Sequence, residues 1–119
     1  MAKTLLTLSV IVVTAYAIQD DAIAMHTVGG CLSRDGESWT LTKATVGEPT
    51  EQAFTTREEL RVSMLQKLGT LTYRLLGVAE FMVDRHEGHK VQVKGLRLSI
   101  DNDLRLNVTS LQQLAPLCQ

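Results

Sequence analysis

His86 and His89 are the side chains best suited to hold a metal ion. The two imidazoles are three residues apart, and Asp84 and Glu87 place carboxylate oxygens beside them. Imidazole nitrogen and carboxylate oxygen are ordinary zinc ligands, but a structural zinc site needs four ligands, and the only further imidazole is His26. A turn in which His89 makes a local hydrogen bond is the favoured alternative, because short motifs often match by chance.

A second set of candidates could bind a ligand through charge or stacking. Basic residues recur along the two most strand-like segments, at Lys90, Lys94, Arg97 and Arg105. A row of basic side chains on one face is able to bind an anion, an oligosaccharide or an acidic partner. Such a row is more often a solvated face with cross-strand ion pairs. We select four ligand-binding candidates from these residues and the aromatic ones: Trp39, Tyr73, Lys94 and Arg105.

Motifs for catalysis and for nucleic-acid binding are missing from the sequence. There is no GxSxG elbow, no nucleophile beside an evident base and no glycine-rich phosphate loop. From Met25 onward the chain has 11 basic and 11 acidic residues, whereas a nucleic-acid binder usually has a basic excess. The sequence therefore predicts a protein that is not an enzyme, needs no cofactor and does not bind nucleic acid.

The first residues have the pattern of a secretory signal peptide. Lys3 precedes an apolar run over residues 5–17, which is too short to span a bilayer, and small residues follow it. Cleavage after Ala17 is one possibility, and cleavage after Ala24 is preferred. We therefore predict a leader over residues 1–24, a periplasmic or secreted location, and no membrane span after cleavage.

The two cysteines, Cys31 and Cys118, fall near the two ends of the predicted mature chain. An even number of cysteines in an exported protein favours a disulfide. The alternative is a lipoprotein box at residues 28–31 that would make Cys31 a lipid-bearing N-terminus. Such a box should follow the apolar run directly, and residues 18–26 intervene, so the disulfide is preferred.

Five segments have the features of strands. The first two, residues 26–33 and 38–46, form a hairpin across an Asp35-Gly36 turn, and a third strand spans residues 70–78. Val91 and Val93 alternate with polar residues in the fourth, and the apolar phase then changes at Gly95, which predicts a bulge or a sharp bend there. A turn at residues 101–103 leads into the fifth strand at residues 104–109, and residues 111–118 form a tail.

One helix is predicted between the second and third strands. Thr55 and Thr56 each precede a glutamate by three residues, which is the pattern of a capping box, and Gly69 fits the end of the helix. Its apolar residues, Leu60, Met64 and Leu68, recur at helical spacing with Leu65 beside them, and they are expected to lie on the barrel. A further helical turn is expected over residues 79–86, with Phe81, Met82 and Val83 against the mouth of the barrel.

These features resemble a family of small exported bacterial OB-fold-like proteins of unknown function. The similarity lies in a Gly-Cys first strand, a W/Y-T-L-T second strand, an H-x-G-H-K-V-x-V-x-G fourth strand and an N-V-T-S-L fifth strand with a terminal cysteine. These are residues 30–31, 39–42, 86–95 and 107–111 with Cys118, and residues 68–78 match the third strand. The 47–67 segment departs from the family pattern, because an OB-fold usually has its helix between the third and fourth strands.

The sequence thus predicts a mainly β fold, a small five-stranded OB-like barrel over residues 25–119, with an inserted loop and helix at 47–69. The predicted function is a non-enzymatic binding or interaction module for a small ligand or an envelope partner. OB-folds bind through the exposed faces of strands two and three or the adjacent loops. The alternative is a small envelope metal-binding protein that uses His86 and His89.

Overall fold

Alternating apolar and polar residues build most of the described structure. The computed structural model describes residues 24–119, so the predicted leader lies outside the described residues except for Ala24. The strands are β1 (Met25–Asp35), β2 (Ser38–Ala44), β3 (Glu48–Pro49), β4 (Leu71–Leu76), β5 (Lys90–Ile100) and β6 (Asp103–Ala115), and the helix is α1 (Arg57–Leu65). Two short 3₁₀ turns follow β4, at Ala79–Phe81 and Val83–His86.

The strands form one mixed sheet in which each of the five longer strands pairs with at least two others. β1 pairs with β2 and β5, β2 also pairs with β4, and β6 pairs with β4 and β5. The succession of pairings β1–β2–β4–β6–β5 therefore returns to β1. The β4–β6 pair is parallel, and the other pairs are antiparallel.

Each of these five strands contributes at least one fully buried side chain to a common core. The fully buried residues include Val28, Leu41, Tyr73, Val93 and Leu106, one from each strand. Burial of such a side chain contributes about 1.5–3 kcal/mol relative to leaving it in water. The period-2 patterns in the sequence therefore identify the side of each strand that builds the core.

The predicted turns and the bulge at Gly95 are confirmed. Gly36 has a φ of 61°, and Asp101 and Asn102 have φ values of 50° and 65° in the turn between β5 and β6. The β5–β6 register shifts between Lys94 and Gly95. An added Cβ at Gly95 would lie 2.5 Å from the carbonyl oxygen of Asn107, so the glycine allows the two backbones to approach closely there.

The predicted disulfide between Cys31 and Cys118 is also confirmed. The two Cα atoms are 5.6 Å apart, within the range that a disulfide spans. The bond joins β1 to the segment that follows β6, across a sequence separation of 87 residues. It closes nearly the whole of the described chain into one loop.

Besides shifts of one or two residues at the ends of the strands, three features differ from the sequence prediction. β6 continues to Ala115 instead of ending near residue 109. The alternation of buried and exposed residues breaks after the bulge, so the sequence pattern does not indicate the last part of this strand. The two-residue strand β3 pairs with β1 inside the predicted loop. The helix ends at Leu65, before Gly69, since Gln66 already has an extended backbone.

The 3₁₀ turns confirm the predicted helical character of residues 79–86 but not all of its packing. Val83 is buried in the core and Phe81 packs against it, whereas Met82 is exposed. Met82 has a φ of 49° and separates the two turns, so its side chain leaves the face that its neighbours share. Among residues 24–119 there is no helix with the length and apolarity that a membrane crossing requires.

Candidate functional site

The outward side of β5 carries a row of polar side chains that are buried. Lys90, Gln92 and Lys94 alternate with Val91 and Val93, and alternation of this kind is typical of a strand with one solvated face. Their exposed fractions are nevertheless only 6%, 1% and 0%. The residues that cover this row belong to the segment at 47–69, which we call the insertion.

Lys94 is held by two groups of the insertion. Its Nζ lies 2.6 Å from Oε2 of Glu59 and donates a hydrogen bond of 2.7 Å to the carbonyl oxygen of Phe54. Glu59 retains 34% of its side-chain exposure, whereas the Lys94 side chain retains none. The ammonium has thus exchanged hydration for one carboxylate and one carbonyl, and it depends on both partners because a buried unpaired charge is very costly.

Lys90 is held by the end of α1. Its Nζ donates hydrogen bonds to the carbonyl oxygens of Met64 at 3.2 Å and Gln66 at 2.9 Å. The last carbonyls of a helix lack partners within the helix, and the helix dipole places partial negative charge there. A lysine at this position therefore both satisfies the carbonyls and complements the dipole.

Gln92 connects the helix with the segment before it. Its Nε2 donates to Oγ of Ser63, and its Oε1 accepts a hydrogen bond of 2.8 Å from Oγ1 of Thr55. Ser63 is the only buried residue of α1. Of the two predicted cap positions the structure uses the second: the Thr56 hydroxyl accepts a hydrogen bond from the backbone N–H of Glu59, and Thr55 is left to bind Gln92.

The helix consequently lies on the sheet by its polar side, which corrects the predicted packing of its apolar residues. Leu65 is 87% exposed, and Met64 is exposed as well. Leu60 and Leu68 are only partly buried. Polar contacts to the lysines and to Gln92 outweigh the apolar stripe in orienting this short helix.

A cavity of about 630 Å³ lies between the insertion and the outer face of the sheet. Its lining includes Thr27, Thr45 and Gln92 from the strands and the loop after β2, and Val62 and Ser63 from α1. Four ionisable side chains also line it: Glu48, Glu58, Glu59 and Lys67. The volume lies within the range typical of small-molecule sites.

Tyr73 lies in the core and contacts one wall of the cavity from the inner side of the sheet. Its phenol donates a hydrogen bond of 2.9 Å to the carbonyl oxygen of Val46, which lines the cavity, and the Arg97 guanidinium lies 5.9 Å from the centre of the ring. Burial raises the pKa of the Tyr73 phenol, and the charge of Arg97 offsets part of that rise. The protonated phenol is therefore part of the folded structure.

Replacement of Tyr73 by phenylalanine should lower the free energy of unfolding by about 1 kcal/mol at neutral pH, through loss of this hydrogen bond. The folded-state pKa is raised, so this contribution is complete below the unfolded-state pKa of about 10 and is lost as the pH rises through the folded-state pKa. Urea unfolding at several alkaline pH values should show a smaller decline for Y73F than for the wild type. Equal declines for the two proteins would contradict the assignment.

The structure does not bring the four predicted ligand-binding side chains together at one surface. Trp39 and Tyr73 are buried in the core, with the Arg34 guanidinium 5.1 Å from the centre of the Trp39 ring. Lys94 is enclosed by the insertion. Arg105 is half-buried on the outside of β6, where its Nε lies 3.1 Å from Oδ2 of Asp103.

The two candidate metal-binding histidines are close neighbours. The ring centres of His86 and His89 are 5.8 Å apart, and the Nδ1 atom of each ring is buried without a hydrogen-bond partner. His26 instead makes a hydrogen bond of 2.7 Å from its Nδ1 to the carbonyl oxygen of Ala24. Among residues 24–119, no group of three or more histidine, cysteine, aspartate and glutamate side chains is arranged to hold a metal ion.

Sequence reasoning missed the residues that build the cavity, chiefly Thr45, Glu58, Glu59, Ser63 and Gln92. One signal was available. A second threonine beside the helix cap and a serine within the helix are polar groups in excess of what the helix itself needs.

No family model, no curated protein and no solved structure matches this chain. A proposal about the function therefore has to start from the cavity and the residues around it.

Proposed function

We propose that this protein is a non-enzymatic, periplasmic or secreted binding module with an OB-like barrel, and that it binds a small ligand in the cavity under the insertion. The observation that carries the proposal is the cavity itself, which is lined by polar groups of the strands and by residues of α1. The resemblance to small exported bacterial OB-fold-like proteins supports the same class. The cavity adjoins the loop after the second strand, and loops flanking the strands are among the places where OB-folds bind.

The barrel is supported by the pairings of the five long strands. Their succession closes on itself and leaves only the short β3 beside β1, and closure removes the exposed edges through which sheets associate. In an OB-like barrel of this kind, the insertion follows β2 and folds back over β1 and β5. The disulfide supports export, because such bonds persist in oxidising compartments.

Export is tested by the mass of the protein recovered from the producing cell under non-reducing conditions. We expect a chain that begins at Met25 and is lighter by two hydrogen atoms than its reduced form. A full-length chain, or one carrying lipid at Cys31, would contradict the proposal of a cleaved leader and a disulfide.

The binding site is tested by a thermal-shift screen of small polar compounds on the mature protein. The variant V62W places a bulky side chain in the lining of the cavity, and L65W makes the same kind of change at an exposed position of α1 outside the lining. We expect stabilising compounds to act on the wild type and on L65W but not on V62W. Stabilisation that persists in V62W would place the ligand elsewhere.

Metal binding by His86 and His89 is a second candidate, because both rings have a buried Nδ1 without a partner. Two imidazoles leave at least two positions of a four-coordinate ion to water or to a partner. Calorimetric titration with zinc provides the test. Binding at micromolar zinc that is lost in H86A/H89A would favour this function, and an absence of binding to the wild type would exclude it.

A further inference from the structure

We infer that the cavity binds a short aliphatic amine whose ammonium group lies beside Glu58 and Glu59. The inference rests on the proposed binding function and specifies its ligand class. It follows from the charges, the hydrogen-bonding groups and the apolar groups that line the cavity.

The lining has an excess of negative charge. Glu48, Glu58 and Glu59 provide three carboxylates, and Lys67 provides the single ammonium among the lining residues. Lys94 neutralises Glu59 in part from behind, and Glu48 and Glu58 are in none of the ion pairs among the described residues. Since the chain from Met25 onward has equal numbers of acidic and basic residues, this imbalance is local to the cavity.

The buried lysines do not favour an anion. Both ammonium groups point into contacts with the insertion, Lys90 with two carbonyls and Lys94 with a carboxylate and a carbonyl. An anionic ligand would have to displace these partners, and it would meet Glu58 and Glu59 as well. Like charges at close range disfavour binding.

Gln92, which lines the cavity from β5, offers one oxygen atom to an ammonium group. Gln92 is 1% exposed, and its carboxamide has two donor hydrogens and two acceptor lone pairs. The hydrogen bonds to Ser63 and Thr55 use one donor and one lone pair. Its Oε1 is thus able to accept one further hydrogen bond, of the kind that an ammonium group donates three times.

The remaining lining suits a hydrocarbon stem. Val46, Pro49 and Val62 line the cavity, and no aromatic ring does. Sugars and quaternary ammonium groups are commonly recognised against aromatic rings, the latter through cation–π contacts. A primary amine on an aliphatic chain needs carboxylates and aliphatic surface only, which is what these residues provide.

Calorimetric titration of the mature protein with cadaverine, pentanediol and glutarate tests the inference, because the three probes share a five-carbon chain and differ in charge. We expect cadaverine to bind at low ionic strength, pentanediol to bind at least about tenfold more weakly, and glutarate not to bind. Charge interactions near a protein surface are strong enough to produce a tenfold difference in affinity, and added salt should reduce them.

Variants locate the site. E58Q removes a lining carboxylate without touching the Lys94 contact and is expected to weaken cadaverine binding by about five- to tenfold. E80Q, at an exposed glutamate outside the lining, is the matched control and should change the affinity less than about twofold. Circular dichroism confirms that both variants are folded.

Each other result overturns the inference. Cadaverine binding that is equal in E58Q, or tighter binding of pentanediol or glutarate, would show that the ligand is not an amine held by these carboxylates. If pentanediol or glutarate binds and V62W abolishes that binding, the amine inference fails while the proposed binding site stands. If no probe binds, the inference fails, and the thermal-shift screen with V62W and L65W decides separately on the binding site.

Discussion

Replacement of both cysteines by alanine (C31A/C118A) is expected to lower the free energy of unfolding by about 4 kcal/mol. The disulfide closes a loop of 87 residues, and in the chain-entropy model a loop of that length constrains the unfolded chain by about 4–5 kcal/mol. Domains of this size usually have about 5–15 kcal/mol in total, so this loss is a large fraction of the stability of the protein. Urea unfolding of the oxidised wild type and the variant measures the difference.

Chemical reduction of the wild type supplies the control for this prediction, because it breaks the same bond without changing the sequence. The reduced protein and C31A/C118A should have similar midpoints. A loss below about 1 kcal/mol in both would contradict a role for the disulfide in constraining the unfolded chain.

The second large effect is expected at the Glu59–Lys94 ion pair. Replacement of Glu59 by alanine leaves the fully buried Lys94 ammonium with the Phe54 carbonyl as its remaining partner. Loss of one member of a buried pair commonly costs 3–5 kcal/mol, and we expect about 2–3 kcal/mol here because Glu59 is partly solvated. Urea unfolding is the measurement.

The neighbouring residue provides a matched control. Glu58 is exposed and is in none of the ion pairs of the described chain, so E58A should leave the stability nearly unchanged. The substitution K94M removes the buried ammonium group itself. The double variant E59A/K94M, which has no unpaired buried charge, should therefore be more stable than E59A alone. Equal effects of E58A and E59A would contradict the ion-pair assignment.

The sequence was a good guide where local chemistry determines the structure. The phase change at Gly95 predicted the register shift between β5 and β6, because only glycine leaves room for the Asn107 carbonyl. The Asp101-Asn102 turn was similarly readable, since both residues tolerate left-handed backbone angles. The cysteine pair followed from number and position in the chain.

The candidate site could not be predicted from the sequence in the same way, because it is formed by contacts between segments that are far apart in the sequence. Lys90, Gln92 and Lys94 have the alternation of a solvated strand face, and their burial depends on partners 24–40 residues away in the sequence. The apolar spacing of α1 suggested the opposite orientation of the helix. A nine-residue helix has a small apolar face, so three polar contacts to β5 were enough to override it.

The most direct test of this account is the reactivity of the lysines of the folded chain from Met25 onward toward an amine-acylating reagent, followed by mass spectrometry. Residues 24–119 contain four lysines: Lys43 and Lys67 are exposed, and Lys90 and Lys94 are buried under the insertion. The account predicts rapid acylation of Lys43 and Lys67, and protection of Lys90 and Lys94 until the protein is unfolded. Acylation of Lys90 and Lys94 at the rate of Lys67 in the folded protein would show that the insertion does not cover this face of the sheet.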